Sequence, residues 1–152
     1  METNSRSVLT KSSKVFKGMH EYDEEKMKYI AYRIQYHVRK NNMSYVELSR
    51  RIGCSRDTMM RYVNIEYEEA SMNIENLKRI ANVFQVNEYY FCNDYHVFLD
   101  KVNGGSYLKI LRMKHKLSQL RYSQKLNIPY SNYKTYESGK AKVPYKVWLL
   151  IK

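Results

Sequence analysis

Between residues 103 and 152 the chain sets eleven Lys and Arg side chains against a single carboxylate, Glu137. Uncharged hydrogen-bonding groups stand among these cations, as in "PYSNYKTYESGKAK" over 129–142. A cationic run of this density is chemistry for a polyanion, which it attracts and whose counterions it displaces. Other kinds of chemistry lack their parts. His20, His37, His96 and His115 are scattered singly, and Cys54 and Cys92 lie far apart with no CxxC spacing, so neither a zinc site nor a disulfide framework is expected. Glu66, Glu68 and Glu69 cluster in "EYEEA" without a His, Cys or metal motif beside them, which reads as a solvated acidic loop. No cofactor, no metal and no enzymatic role are expected.

The whole chain of 152 residues carries 27 Lys+Arg against 15 Asp+Glu, a formal charge of +12. The charge is unevenly placed: residues 1–62 hold 13 basic and 7 acidic side chains, and residues 63–102 hold 3 and 7. Hydrophobic content of 43% with 14% aromatics is enough for a buried core. Five glycines and two prolines are too few for the many turns of an all-β sandwich, so the chain should be mainly helical. The longest apolar run, Val147 to Ile151, is far below the roughly 18 residues of a membrane span, and a reducing, cytoplasmic setting is expected.

The elements that must position these residues can be read along the chain. Residues 1–22, rich in Ser, Thr and Lys, read as a flexible basic arm. From Glu24, Met27, Ile30, Ala31, Ile34 and Val38 recur at helical steps. Ser44 caps a helix to about Ile52, Gly53 turns the chain, Ser55 caps another to about Val63, and Asn73 caps "IENLKRIANVFQ". The aromatic stretch 87–102, with Tyr89, Tyr90, Phe91, Tyr95 and Phe98, reads as a fifth helix that either covers its own core or forms the interface of a homodimer. Asn103-Gly104-Gly105 is the domain boundary expected from composition. Four helices follow: "YLKILRMKHK", one capped by Ser118, one starting at Pro129 and one opened by Pro144.

An internal repeat links the two halves. "MSYVELSRRIGCSRDTMMRYVNI" (43–65) lies over "LSQLRYSQKLNIPYSNYKTYESG" (117–139) without a gap, at a constant offset of 74. Met43 meets Leu117, Ser44 meets Ser118, Ser49 meets Ser123, Ile52 meets Leu126, Met59 meets Tyr133 and Tyr62 meets Tyr136. Two short helices cross steeply only around a small residue and a tight turn, which Ser49 and Ser123 would allow, so the repeated unit is a helix-turn-helix.

Here the chain resembles the Cro and phage-repressor (XRE-like) helix-turn-helix family. "LSQLRYSQKLNIPYSNYKTYESGKAKVP" (117–144) follows the family pattern LSQxxLAxxLGVSxxTIxxYExGxxxP nearly end to end. The first copy departs from it, with Tyr45 at the glutamine position and Val63-Asn64-Ile65 in place of E-x-G. In many such domains an arginine of the first helix pairs with the glutamate of ExG. Arg112 and Glu137 hold those places, 25 apart, and Val38 and Val63 hold them in the first copy at the same spacing. An ion pair replaced as a pair by apolar residues is often neutral or stabilising.

The resemblance implies an all-α, lambda-repressor-like fold in tandem: a first domain of five helices at 23–102 and a shorter one of about four at 103–152. It implies base-facing residues Ser55, Arg56, Asp57, Thr58 and Arg61 in the first, and Tyr130, Ser131, Asn132 and Thr135 in the second, with Lys134 nearer the backbone. Phosphate would be met by Gln119, the amides near Ser138 and Gly139, Lys140 and Lys142, and by the Tyr45 hydroxyl in the first copy. Met59 and Tyr133 belong to the cores. The expected function is a sequence-specific transcriptional regulator acting on double-stranded DNA, a bacterial or phage repressor type. The alternative is a protein-interaction module reusing the fold, such as an antitoxin or an inhibitor of a nucleic-acid enzyme, suggested by the acidic loop and the eroded ExG.

Overall fold

A computed structural model describes residues 22–152; of the expected arm, all but Tyr22 lies outside the described residues. Among the described residues there are nine α-helices, two short 3-10 turns and no strand, in a tandem helix-turn-helix arrangement. No helix among them is long and apolar enough to cross a membrane. The chain forms two compact units that divide between Asn93 and Asp94.

The first unit holds α1 (Ile30–Lys40), α2 (Tyr45–Ile52), α3 (Arg56–Tyr62) and α4 (Ile74–Val83). Three of them begin on a side-chain cap. Ser44, Ser55 and Asn73 accept the backbone N–H groups of Glu47, Thr58 and Asn76, each at 3.1 Å. The apolar stripe of α1 (Ile30, Ile34, Val38) shares one core with Leu48, Ile52, Met59, Leu77 and Ile80. A stripe at three- and four-residue steps faces one way only when wound as a helix, and here it is almost wholly out of water.

α1 starts six residues later than the apolar pattern from Glu24 suggests. Asp23 ties up the N–H groups of Glu25 and Lys26 in a turn, and Tyr29 is extended. No side chain caps α1 locally; Glu69 does so from 39 residues away, accepting the Ile30 N–H at 3.3 Å. Glu66 and Glu68 are exposed as expected of a solvated loop, but Glu69 is half-buried. Burial raises its carboxyl pKa, against the Ile30 hydrogen bond and the Arg33 charge.

The second unit holds α5 (Asp94–Lys101), α6 (Gly104–Lys114), α7 (Gln119–Lys125), α8 (Tyr130–Glu137) and α9 (Tyr145–Ile151). The expected count of five helices then four is therefore reversed. Residues 87–102 are not one helix: hydrogen-bonded turns at 87–92 place Phe91 in the first core, and only 94–101 is helical. α5 packs inside the second unit, where the Tyr95 hydroxyl donates to the Val143 carbonyl at 2.8 Å and Tyr95 and Phe98 lie against Trp148. Phe91, Tyr95 and Phe98 are all buried and cover their own cores, while Tyr89 and Tyr90 are half-buried.

The offset of 74 recurs in the backbone. α1 and α6 end alike: Met43 N–H donates to Val38 at 2.9 Å and Leu117 N–H to Arg112 at 3.3 Å, around the left-handed Asn42 and Lys116. α2 and α7 also end alike. Cys54 N–H reaches Ser49 at 3.0 Å, and Ile128 N–H reaches Ser123 at 2.9 Å. The turn residues are Gly53 (φ 73°) and Asn127 (φ 55°), residues that tolerate the left-handed region. Ser49 and Ser123 are buried, and their hydroxyls donate to Val46 and Leu120 one turn back.

Asn103-Gly104-Gly105 is not a linker. Asn103 caps α6 by accepting the Ser106 N–H at 3.0 Å, and both glycines are the first residues of that helix. A Cβ on Gly105 would run into the carbonyl oxygen of Glu137, so the bare backbone is what lets α6 cross the end of α8. Gly105→Ala is expected to destabilise the second unit by about 2 kcal/mol, because a backbone carbonyl cannot step aside as a side chain can. A urea titration followed by circular dichroism checks this, with Gly53→Ala, which meets no atom but strains a left-handed turn, expected to cost only about 1 kcal/mol.

Candidate nucleic-acid interface

α8 is too short to bury two faces, and its one buried residue is Tyr133, fully inaccessible beside Tyr122. That anchor turns Tyr130, Ser131, Asn132 and Lys134 outward, all exposed, with Thr135 half-exposed. Gln119, the first residue of α7, joins Ser131, Lys134, Thr135, Ser138 and Lys140 in lining one open cleft. Six of the residues expected to meet DNA in this unit thus converge on one concave surface. Lys134 Nζ sits 4.5 Å from the centroid of the Tyr130 ring, which holds the cation at the rim. Lys142 is exposed but does not line the cleft.

The backbone at the end of α8 differs from expectation. Ser138 N–H donates to Lys134 at 3.0 Å, Gly139 N–H to Tyr136 at 3.2 Å and Lys140 N–H to Thr135 at 3.1 Å, around Gly139 at φ 80°. This is a Schellman closure, and it turns these amides into the helix. The amides of Ser138 and Gly139 are therefore spent and do not point outward for a phosphate. What the turn offers is side chains: the Ser138 hydroxyl, itself donating to the Thr135 carbonyl, and the Lys140 ammonium.

Glu137, the last residue of α8, is gripped by Arg112. Nε lies 3.3 and 3.1 Å from its two oxygens and one terminal nitrogen lies 2.8 Å from Oε1, while the other terminal nitrogen donates to the Leu117 carbonyl at 3.1 Å. The pair expected from the 25-residue spacing is thus formed, with the Glu137 side chain 5% and the Arg112 side chain 17% exposed. Burial would raise the Glu137 carboxyl, but the hydrogen bonds and charge of Arg112, with smaller help from the polar groups of Tyr133 and Gln119, hold it below the ordinary 4.5. Burial first, then the same carboxylate, pushes the Tyr133 hydroxyl well above its usual range. Gln119 therefore has two neighbours at once, the buried carboxylate and the open cleft.

In the first unit Ser55, Arg56, Asp57 and Arg61 are exposed along α3, with Met59 buried beneath them. Thr58 is half-buried, and the Ser55 hydroxyl donates to its Oγ1 at 2.9 Å. Tyr45 is a correction. It is 5% exposed and packs in the core with Leu48 and Ile52, so it is a core residue of α2 and not the exposed side chain expected. Val38 and Val63, 1% and 2% exposed, lie in the same core, the apolar counterparts of Arg112 and Glu137.

Three functional supports escape the motif. Gln35 is buried, and its Nε2 donates to the Val63 carbonyl at 2.6 Å, tying the end of α3 to α1. A lone amide one turn before Val38, inside an apolar stripe, is the signal that marks it. The Tyr62 hydroxyl accepts from Asn73 N–H at 2.8 Å and Asn76 Nδ2 at 3.2 Å, joining α3 to the start of α4. Glu69, the remote cap, has no local signal.

Residues 33–88 match the model of the family described as the Cro/C1-type HTH DNA-binding domain. The matched residues run from within α1 to beyond α4, inside the first unit. No curated protein and no solved structure matches the chain.

Glu137→Gln is expected to cost about 2 kcal/mol at pH 7, somewhat below the roughly 3–5 kcal/mol of a fully buried pair because Arg112 keeps some exposure. Because the folded carboxyl sits below its unfolded value, its stabilisation is full above about pH 4.5 and fades as pH falls through the folded value. Urea midpoints at pH 7 and pH 3 check this, the gap between wild type and variant shrinking at the lower pH. Arg112→Val with Glu137→Val, copying Val38 and Val63, should restore most of the loss at pH 7.

Proposed function

We propose that the protein is a sequence-specific DNA-binding transcriptional regulator of the Cro and repressor type, acting in the cytoplasm, with α3 and α8 as its recognition helices. The observation that carries this reading is the repeated scaffold. In both units a capped short helix, a left-handed turn and a second short helix recur at an offset of 74 with the same backbone hydrogen bonds. In each case the exposed side of the second helix carries hydrogen-bonding residues over a buried Met59 or Tyr133. The family match over 33–88 supports the first copy; the shared turns support reading 103–152 as a second copy of the same kind of domain.

In this reading α3 offers Arg56 and Arg61, whose guanidinium forks suit guanine, and α8 offers Asn132, whose amide suits adenine. Gln119, Lys134, Ser138, Lys140 and Lys142 contact the phosphodiester backbone, which fixes register and carries no sequence information. Because α3 and α8 display different side chains, a site contacted by both has no internal symmetry.

The test is selection of bound duplexes from a random pool, followed by titration of the winner across salt. Binding should weaken steeply as salt rises, since each phosphate contact contributes about 0.9 to the logarithmic slope. Asn132→Ala and Arg56→Ala should each cost about 1–3 kcal/mol on the selected duplex and almost nothing on a scrambled one. Failure to enrich any sequence, or salt-independent binding, refutes the reading.

A further inference from the structure

The loop that follows the recognition helix inverts its charge between the two units. At the offset of 74, Ser138 stands over Asn64, Lys140 over Glu66 and Lys142 over Glu68, and all six residues are exposed. Lys140 lines the cleft beside α8. Glu66 holds the corresponding place in the sequence after α3, in a turn of different backbone: its N–H donates to Asn64 Oδ1 at 3.0 Å, whereas Lys140 N–H donates to the Thr135 carbonyl at 3.1 Å. Glu69 takes no part, since its carboxylate is spent on α1.

The contrast extends over each unit as a whole. Residues 22–93 carry eleven Lys and Arg against ten Asp and Glu, whereas residues 94–152 carry twelve against three. A surface of nearly balanced charge, with exposed carboxylates in the loop that follows α3, gains little from counterion release and repels any phosphate that approaches that loop. A strongly cationic surface with Lys134 and Lys140 around a cleft gains the full electrostatic term.

We infer that the two units divide the work of binding DNA: the second supplies the hold on the phosphodiester backbone through Lys134, Lys140 and Lys142, and the first contributes base contacts from α3 without a backbone clamp of its own. This rests on the DNA-binding reading and adds to it which unit carries the affinity. Glu66 and Glu68 weaken the first unit's nonspecific binding, so that it engages only where its base contacts fit. Affinity and selectivity are then set by different parts of the chain.

The experiment uses the full chain and a duplex selected with it, plus a scrambled duplex, each titrated from low to moderate salt by fluorescence anisotropy. Glu66→Lys with Glu68→Lys should tighten binding on the order of tenfold at 0.1 M salt on both duplexes and steepen the slope by up to about 1.8, two new contacts at about 0.9 each. The selected-to-scrambled ratio should fall, because the gain is independent of sequence. Lys140→Glu with Lys142→Glu should weaken both by about a hundredfold or more and flatten the slope. Glu66→Gln with Glu68→Gln, which removes charge and adds none, should fall between wild type and the lysine variant. Thermal melts verify that each variant folds.

If wild type binds but the Glu66 and Glu68 variants leave affinity and slope unchanged, that loop does not face the duplex and the division is refuted while DNA binding stands. The division is refuted equally if the Lys140 and Lys142 variant binds as wild type does. If wild type binds no duplex, the DNA reading and the division fall together.

Discussion

A helix of seven or eight residues cannot hold its own place. It has too few internal hydrogen bonds to be stable alone, and its last carbonyls have no partner within the helix. α3 and α8 are both of this kind, and the far end of each is pinned to the helix that precedes its helix-turn-helix. The second unit does this with charge and close approach: Arg112 on α6 grips Glu137, and Gly105 lets the backbone of α6 reach the carbonyl of Glu137. The first unit does it with shape and one amide. Val38 and Val63 are buried together, and Gln35 donates to the Val63 carbonyl. The ends of α3 and α8 are held at equivalent positions by different chemistry, which is why the exposed faces of both helices stay free to vary.

The same pinning decides what the surface can offer. The Schellman turn after α8 consumes the amides that its Ser-Gly sequence advertises, so what that unit presents around its cleft is side chains: Gln119, Lys134, Ser138 and Lys140. Gln119 is where the pin and the surface meet, since it helps hold the Glu137 carboxyl low and also lines the cleft. In the first unit the equivalent residue, Tyr45, packs in the core, and Val63 stands where Glu137 does.

Local chemistry was the legible part of the sequence. The caps Ser44, Ser55, Asn73 and Ser118, the left-handed Gly53 and the Arg112–Glu137 spacing each depend on neighbours within a turn or on one fixed pairing, and each appears as read. Readings that depended on the destination of a side chain fared less well. Asn103-Gly104-Gly105 has the composition of a linker, but its glycines serve a helix crossing that no local pattern reveals. The aromatic stretch 87–102 has helical content, yet turns at 87–92 split it between two cores. Glu69 looked like its neighbours Glu66 and Glu68, and only the fold brings it to the amide of Ile30. The sequence pattern also read more clearly at 117–144, whereas the family match falls on residues 33–88, where apolar spacing persists although E-x-G is gone.

Amide hydrogen exchange of the full chain, with and without the selected duplex, tests the central claim most directly. The account predicts slowed exchange on DNA binding at the start and outer face of α8, at the turn through Lys140, at the start of α7 and along α3, with α4 and α9 unchanged. Protection confined to α4, α9 or the 87–102 stretch, with 55–62 and 119–140 unaffected, would contradict it.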